Sequence, residues 1–157
     1  TVRFEHLVEI NDPLNPLIQT LSREQVWSGL MFRVDEPTVF LPGLERCEIL
    51  SRTAGRVERR LHFGSVQVHD TVTFSDRDWV SFESAANAEH AGGRLTIRLE
   101  EPDPLRLYLR FTYETTLPDG GATDGVQVAE FVKSAYRESD VDTVRIIRML
   151  AASGRPH

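Results

Sequence analysis

A pair of oppositely charged residues in the most clearly predicted hairpin is the first candidate for chemistry. A Gly-Ser dipeptide at 64–65 joins two alternating segments, and glycine in first place suits a type II′ turn. If Phe63 pairs with Val66, Arg59 faces Asp70 among apolar neighbours. The pair could anchor a ligand carboxylate, phenol or carbonyl, or it could be an ion pair that fixes the register of the hairpin. We favour the structural interpretation because isolated buried pairs usually serve structure.

Other polar side chains fall where they could act on a bound molecule. His6 is on the apolar face of the first predicted strand. It could act as a general base, but a histidine at such a position is more commonly a hydrogen-bonded core residue. Tyr113 faces inward on the last strand and could donate its hydroxyl to a ligand carbonyl or point it at water. Glu83 lies opposite Asp70 only in a register that its apolar neighbours argue against. The turn at 90–93 could gate a pocket mouth through His90, or be an ordinary hairpin turn with a bulge.

The sequence lacks the motifs of metal sites, cofactor sites and activated nucleophiles. His62 and His69 lie on neighbouring strands, but the hairpin sets them against Gln67 and Arg60, and no third zinc ligand is evident. The glycines at 92–93 lack the spacing of a phosphate cradle, and residues 119–125 lack the alternating acidic ligands of a calcium loop. Neither a Gly-x-Ser-x-Gly elbow nor a histidine partner for Cys47 is found. We therefore expect no metal and no cofactor.

Length, charge and cysteine content narrow the class of protein. The 157 residues, 40% of them hydrophobic, predict one domain over 1–152 and a flexible tail over 153–157. The 24 acidic residues outnumber the 18 Lys and Arg, and without a basic cluster this argues against a nucleic-acid partner. A single cysteine, Cys47, forms no internal disulfide and fits a reducing cytoplasm. The absence of an apolar leader or a run of about 18 apolar residues predicts neither secretion nor a membrane partner.

Hydrophobic periodicity predicts the strands that position these side chains. Residues 2–10 alternate as a half-buried strand, and six more strands are predicted at about 44–53, 56–63, 66–75, 79–86, 93–101 and 105–116. In the hairpin, the face opposite Arg59 carries polar residues that we expect to face solvent: Glu58, Arg60, His62, Gln67, His69 and Thr71.

Two helices complete the pattern. Ser22 and Gln25 form a predicted capping box for a helix that stops before Pro37 and buries Val26, Trp27, Leu30, Met31 and Val34. A second helical pattern runs from the Pro-Asp-Gly-Gly segment at 118–121 to about Ala152. One of its stripes holds Val128, Phe131, Val132, Ala135 and Tyr136, and a displaced stripe holds Val141, Val144 and Ile147. The displacement predicts a bend, or two segments, near 139–140.

This order of elements predicts an α+β helix-grip fold, with a seven-stranded curved antiparallel sheet around the long C-terminal helix. Such a helix rarely fills the concave side of the sheet, so the fold is a natural container for an apolar ligand. The predicted cavity lining is His6, Val8, Trp27, Leu30, Met31, Arg59, Leu61, Phe63, Val68, Asp70, Val72, Phe82, Leu95, Ile97, Leu107, Leu109, Phe111, Tyr113, Phe131, Val132, Ala135 and Tyr136.

Particular stretches carry a resemblance to a known family. They are FEHLVEINDP at 4–13, FLPGL at 40–44, EHAGG at 89–93 and EFVKSAYR at 130–137, and together they span nearly the whole chain. With the order of elements, they resemble the SRPBCC (START/Bet v 1-like) superfamily and, within it, the AtaL-like family. The resemblance implies the helix-grip fold and a hydrophobic ligand-binding cavity. It transfers no catalytic motif and implies no particular reaction.

The interpretation favoured by the sequence is a binding module, non-catalytic or weakly catalytic, for a small hydrophobic or aromatic ligand such as a polyketide-like metabolite or a lipid. The first alternative is a cyclase or isomerase that uses an inward histidine or carboxylate as base. The second is a co-chaperone-like interaction domain, which predicts a filled cavity and an exposed apolar patch. The outward side chains of the last strand are polar and disfavour such a patch. Self-association through an edge strand stays open.

Overall fold

The computed structural model describes residues 2–86, 92–115 and 123–153, with side chains described from residue 3 and, in the last helix, from residue 133. The elements, in chain order, are β1 (Val2–Glu9), α1 (Arg23–Asp35), a 3-10 turn (Pro37–Val39), β2 (Arg46–Thr53), β3 (Arg56–Phe63), β4 (Val66–Ser75), β5 (Trp79–Ser84), β6 (Gly93–Asp103), β7 (Arg106–Thr115) and α2 (Thr123–Ala152). Among the described residues, no helix is long and apolar enough to cross a membrane.

The strands form a seven-stranded antiparallel sheet in the order β1-β7-β6-β5-β4-β3-β2. The predicted β3–β4 register is confirmed: Phe63 pairs with Val66, and Arg59 pairs with Asp70. Gly64 has the positive φ that the first position of the hairpin turn requires. Glu83 pairs with Thr71 and not with Asp70, as the apolar residues beside Glu83 predicted. The helix-grip fold predicted from the sequence is therefore the observed one.

Helix α1 begins and ends as its sequence predicts. The Ser22 side chain accepts a hydrogen bond from the Gln25 backbone, and the Gln25 side chain bonds back to the Ser22 backbone. Gly29 faces α2 so closely that a Cβ at this position would lie 2.7 Å from Ile147 Cγ1. The absence of a side chain at residue 29 therefore allows the two helices to touch.

Helix α2 differs from its prediction. It is one uninterrupted helix, not two segments, and Val141, expected to be buried, is 53% exposed. The inward stripe runs from Tyr136 through Asp140 to Val144 and Ile147, at helical spacing. The carboxylate of Asp140 occupies an inward position and interrupts the apolar pattern. That interruption made the apolar residues of the second half look like a displaced stripe. Ala135 lies off the inward stripe and is exposed.

One residue of the predicted solvent-facing set is buried. His62 is 8% exposed, and its Nε2 lies 2.5 Å from Oε1 of Glu48 on the neighbouring strand β2. This hydrogen bond lowers the pKa of Glu48. The alternation of β3 placed His62 on the outer face of the sheet. The side chain that buries it there, Glu48, belongs to the neighbouring strand, and alternation along a single strand cannot predict that contact.

Candidate functional site

A cavity of about 690 Å³ lies on the inward face of the sheet. Strands β3 to β7 supply most of its wall, α1 and α2 each add one side chain, and the loop before β2 adds another. The full lining is Arg33, Leu41, Arg59, Leu61, Phe63, Val66, Val68, Asp70, Phe82, Ser84, Gly92, Gly93, Arg94, Leu95, Tyr113, Thr115 and Tyr136. The wall is mainly aliphatic and aromatic, and two of its charged groups, Arg33 and Arg59, lie over the ring of Phe82.

The inward face of the sheet is divided between this cavity and a packed core. Phe82, Leu95 and Tyr113 are cross-strand neighbours and form a row at the boundary. From that row toward the β3–β4 turn, the inward side chains line the cavity. In the opposite direction, α1 and the C-terminal half of α2 cover the sheet and fill the space with side chains such as Trp27 and Ile147.

The predicted lining residues divide along the same boundary. Those on the cavity wall are Arg59, Leu61, Phe63, Val68, Asp70, Phe82, Leu95, Tyr113 and Tyr136. Those that pack in or against the core instead are Val8, Trp27, Leu30, Met31, Val72, Ile97, Leu107, Leu109 and Phe111. Ala135 is exposed. His6 is not among the lining residues and contacts Asp140 instead. The side chains of Phe131 and Val132 lie outside the described residues. Alternation identified the inward face but not which half of it the helices cover.

The Arg59–Asp70 pair is fully enclosed, with the two residues 1% and 2% exposed. Arg59 Nε donates to Asp70 Oδ1 at 2.9 Å, and Arg59 Nη2 donates to Oδ2 at 2.5 Å. The remaining terminal nitrogen, Nη1, donates to the Val34 carbonyl at 2.8 Å. All three nitrogens of Arg59 are therefore engaged inside the protein. The pair ties the sheet to the end of α1, in agreement with the structural interpretation.

Arg33 is a second buried guanidinium, and it was not among the predicted site residues. It belongs to the last turn of α1, lines the cavity, and is 5% exposed. Its Cζ atom lies 4.7 Å from the centre of the Phe82 ring, a cation–π contact. Among the described residues, its Nε has no hydrogen-bond partner. Burial lowers the pKa of Arg33.

The sequence did contain a signal for Arg33. On α1 the buried positions Val26, Leu30 and Val34 mark the inward stripe, and Arg33 follows Leu30 at the spacing of a helical turn. A charged residue at an inward position is unusual and points either to a buried partner or to a site.

A hydrogen-bonded chain connects the cavity wall to the edge strand β1. The Tyr113 hydroxyl donates to Asp140 Oδ1, and His6 Nδ1 lies 3.1 Å from Asp140 Oδ2. Burial raises the pKa of Asp140, and burial together with the neighbouring Asp140 raises that of Tyr113. The rings of Tyr113 and Tyr136 stack in parallel with their centres 3.8 Å apart. Tyr113 and His6 were singled out by their strand positions, whereas Asp140 was not.

The outer face of the sheet carries a separate depression of about 480 Å³. Its walls are mainly polar and include Arg56, Glu83, Arg94 and Arg98. Glu83 is held by Arg94, and Arg98 Nη1 donates to Asp78 at 3.2 Å. Among the described residues, no group of His, Cys, Asp and Glu side chains is arranged to hold a metal ion.

Comparison with known proteins gives one family match and several structural matches. The family model of AtaL, acetylaranotin biosynthesis cluster protein L, matches residues 8–154. The Zhui aromatase/cyclase from Streptomyces sp. R1128 is 16% identical, with a TM-score of 0.70 over 96% of this chain and 95% of that one. No curated protein gives a significant sequence match.

Two further solved structures share the fold but are longer. The di-domain ARO/CYC StfQ from the steffimycin biosynthetic pathway is 10% identical with a TM-score of 0.73, and the match covers 97% of this chain but 51% of StfQ. Human STARD10 is 9% identical with a TM-score of 0.62, over 92% of this chain and 62% of that one. At these identities the likeness shows a common helix-grip fold.

Proposed function

The chain belongs to the AtaL family, and from this premise and the geometry of the site we propose that its cavity binds one small hydrophobic or aromatic ligand, such as a polyketide-like metabolite or a lipid. The observation that carries the proposal is the cavity of about 690 Å³ beside a well-packed core. Cavities of roughly 300–1,000 Å³ with mainly apolar walls and a few convergent polar groups are typical ligand sites. The fold shared with aromatase/cyclases and STARD10 supports the same use.

Apolar burial supplies most of the affinity in this proposal. Each square ångström of apolar surface removed from water contributes about 25 cal/mol. Leu61, Phe63 and Val68 form one apolar end of the wall, and the rings of Phe82 and Tyr136 form another part of it. A flat aromatic body fits the second region because aromatic rings stack or meet edge to face.

Native mass spectrometry of the protein purified from its own host, before and after denaturation, tests this function. We expect a stoichiometric apolar passenger that is released on denaturation. For a direct assay, N-phenyl-1-naphthylamine, an uncharged dye, is titrated into the wild type and two matched variants. Val68→Trp places an indole in the cavity, whereas Val141→Trp makes the same change at an exposed position of α2.

The expected result is saturable dye binding that Val68→Trp weakens by roughly tenfold or more and Val141→Trp leaves unchanged. Thermal unfolding of both variants checks that each is folded under the assay conditions. Wild-type protein that carries no passenger and binds no dye would overturn the proposal. Equal binding by the two variants would place the dye outside the cavity and have the same consequence.

Catalysis on such a ligand is the second candidate function, and the chain of Tyr113, Asp140 and His6 favours it. A cyclase or isomerase needs a group that moves a proton within reach of the ligand. Tyr113 meets the cavity while its hydroxyl is bonded to the buried carboxylate. Catalysis would become the leading function if the wild type converted the co-purified compound. Tyr113→Phe and His6→Gln would then have to bind the compound without converting it.

The interaction-domain alternative predicted a cavity filled by side chains. The cavity of about 690 Å³ is therefore an argument against it.

A further inference from the structure

Among the described residues around the cavity, Arg33 is a buried charged group that has no ion pair and no hydrogen-bond acceptor. Asp70 binds Arg59 through both of its carboxylate oxygens. The two oxygens of Asp140 are occupied by Tyr113 and His6. Within the part of the chain that the structure describes, Arg33 forms no ion pair, and its Nε has no hydrogen-bond partner. Both of these carboxylates are thus committed elsewhere, and the guanidinium of Arg33 has no acceptor among the described residues.

Packing alone does not account for an arginine at this position. Burying a charged group without a partner is costly, and an apolar residue on the inward stripe of α1 would avoid that cost. Burial lowers the pKa of Arg33, but an arginine keeps its charge there because its ordinary pKa lies far above neutral pH. A buried, charged and unpartnered group on the wall of a cavity is best explained by an acceptor that arrives with a ligand.

We propose that the ligand is an aromatic acid or a similarly flat apolar molecule with one anionic oxygen group, a carboxylate or an ionised phenol or enol, that binds to Arg33. This inference rests on the proposed function and specifies the ligand class of the same cavity. The planar guanidinium presents paired N–H donors that match a carboxylate. Arg59 is not the anchor, because all of its nitrogens are already engaged.

The surroundings of Arg33 define where the apolar body lies. Phe82 presents its ring face to the Arg33 guanidinium and also lines the cavity. The stacked rings of Tyr113 and Tyr136 belong to the same wall. A ligand whose charged end meets Arg33 therefore has aromatic surfaces within reach of its rings and aliphatic side chains further toward the β3–β4 turn.

Two dyes with one carbon skeleton provide the test. 8-Anilinonaphthalene-1-sulfonate is N-phenyl-1-naphthylamine with an added sulfonate, so the pair differs by one anionic group. Both are titrated into the wild type, Arg33→Met and Arg33→Gln by fluorescence at low ionic strength. Arg98→Met is the matched control, since it removes an arginine from the polar depression on the outer face.

The anionic dye is expected to lose roughly tenfold to a hundredfold in affinity in both Arg33 variants, which is the usual effect of removing a hydrogen bond to a charged group. The uncharged dye is expected to bind the wild type and the Arg33 variants alike, and Arg98→Met is expected to change neither dye. Near-ultraviolet circular dichroism verifies that the packed core persists in each variant.

The outcomes separate this inference from the proposed function. If neither dye binds the wild type, the proposed function itself fails. If the uncharged dye binds in the cavity but the Arg33 variants retain full affinity for the anionic dye, the cavity is a ligand site and the Arg33 inference is wrong. An equal loss of anionic dye in Arg98→Met would assign the charge effect to the outer depression and also overturn the inference.

Discussion

Removing one partner of the Arg59–Asp70 pair is expected to destabilise the fold far more than removing both. In Asp70→Asn, the amide keeps the shape of the carboxylate but presents an NH₂ group to an arginine nitrogen that is itself a donor. Arg59 would then be a 1% exposed cation without a carboxylate partner, and its acceptors would all be neutral: the amide oxygen at position 70 and the backbone carbonyls of Val34 and Arg33. Breaking a buried pair in this way costs about 3–5 kcal/mol.

That cost is a large share of the stability of a typical domain, about 5–15 kcal/mol. With a urea dependence of about 2 kcal/mol per molar, the unfolding midpoint of Asp70→Asn should fall by roughly 1.5–2.5 M. In the double variant Arg59→Met/Asp70→Leu the buried charge is gone, and replacement of such pairs by apolar groups is often neutral or stabilising. The Val34 carbonyl loses its donor, at about 1–3 kcal/mol, so the double variant should lie within about 2 kcal/mol of the wild type.

Urea unfolding followed by circular dichroism measures all of these variants. Asp78→Asn is the control, because Asp78 pairs with Arg98 at 3.2 Å in a half-exposed surface bridge that contributes about 1 kcal/mol at most. A loss below about 1 kcal/mol in Asp70→Asn would refute the reasoning that burial makes the pair costly to break. A double variant as unstable as Asp70→Asn would show that the unpaired charge is not the cause.

Three further predictions concern other buried groups. Gly29→Ala should lower the free energy of unfolding by about 1–3 kcal/mol in urea titrations, because its Cβ would lie 2.7 Å from Ile147 Cγ1; wild-type stability would contradict this. Burial raises the pKa of Asp140 above its ordinary 3.8, so its contribution to stability is present below that value and is lost as the pH rises through the native pKa. Asp140→Asn should therefore melt higher than the wild type at pH 7 and equally at pH 3, and parallel pH profiles would argue against it. Burial also raises the pKa of the Cys47 thiol, so Ellman's reagent at pH 8 should react more slowly with native than with urea-unfolded protein, and equal rates would be the contrary result.

Local patterns in the chain predicted the elements closely. Alternation and a Gly-Ser turn were enough to place Arg59 opposite Asp70, since a strand has a period of two and a tight turn fixes the register. The capping box at Ser22 likewise located the start of α1. These are properties of neighbouring residues, so they can be deduced without knowledge of the rest of the fold.

The same method was wrong about one residue of the displaced α2 stripe. It assigned Val141 to that stripe, but Val141 is 53% exposed and its neighbour Asp140 is buried. Asp140 is inward because Tyr113 on β7 and His6 on β1 supply its hydrogen-bond partners. A buried acid is stabilised by partners that are distant in the chain, and a hydrophobicity pattern contains no information about them.

The sequence by itself determined the seven strands, the two helices, the inward face of the sheet and the resemblance to the AtaL family. Tertiary structure decided which part of that face is filled and which part lines the cavity. Trp27 and Tyr113 have the same inward character in the sequence, yet only Tyr113 lies on the cavity wall. The physical reason is that burial along one strand or helix follows from its own periodicity. A cavity depends instead on which distant elements cover the site, and the lack of an acceptor for Arg33 Nε among the described residues depends on which polar groups those elements bring.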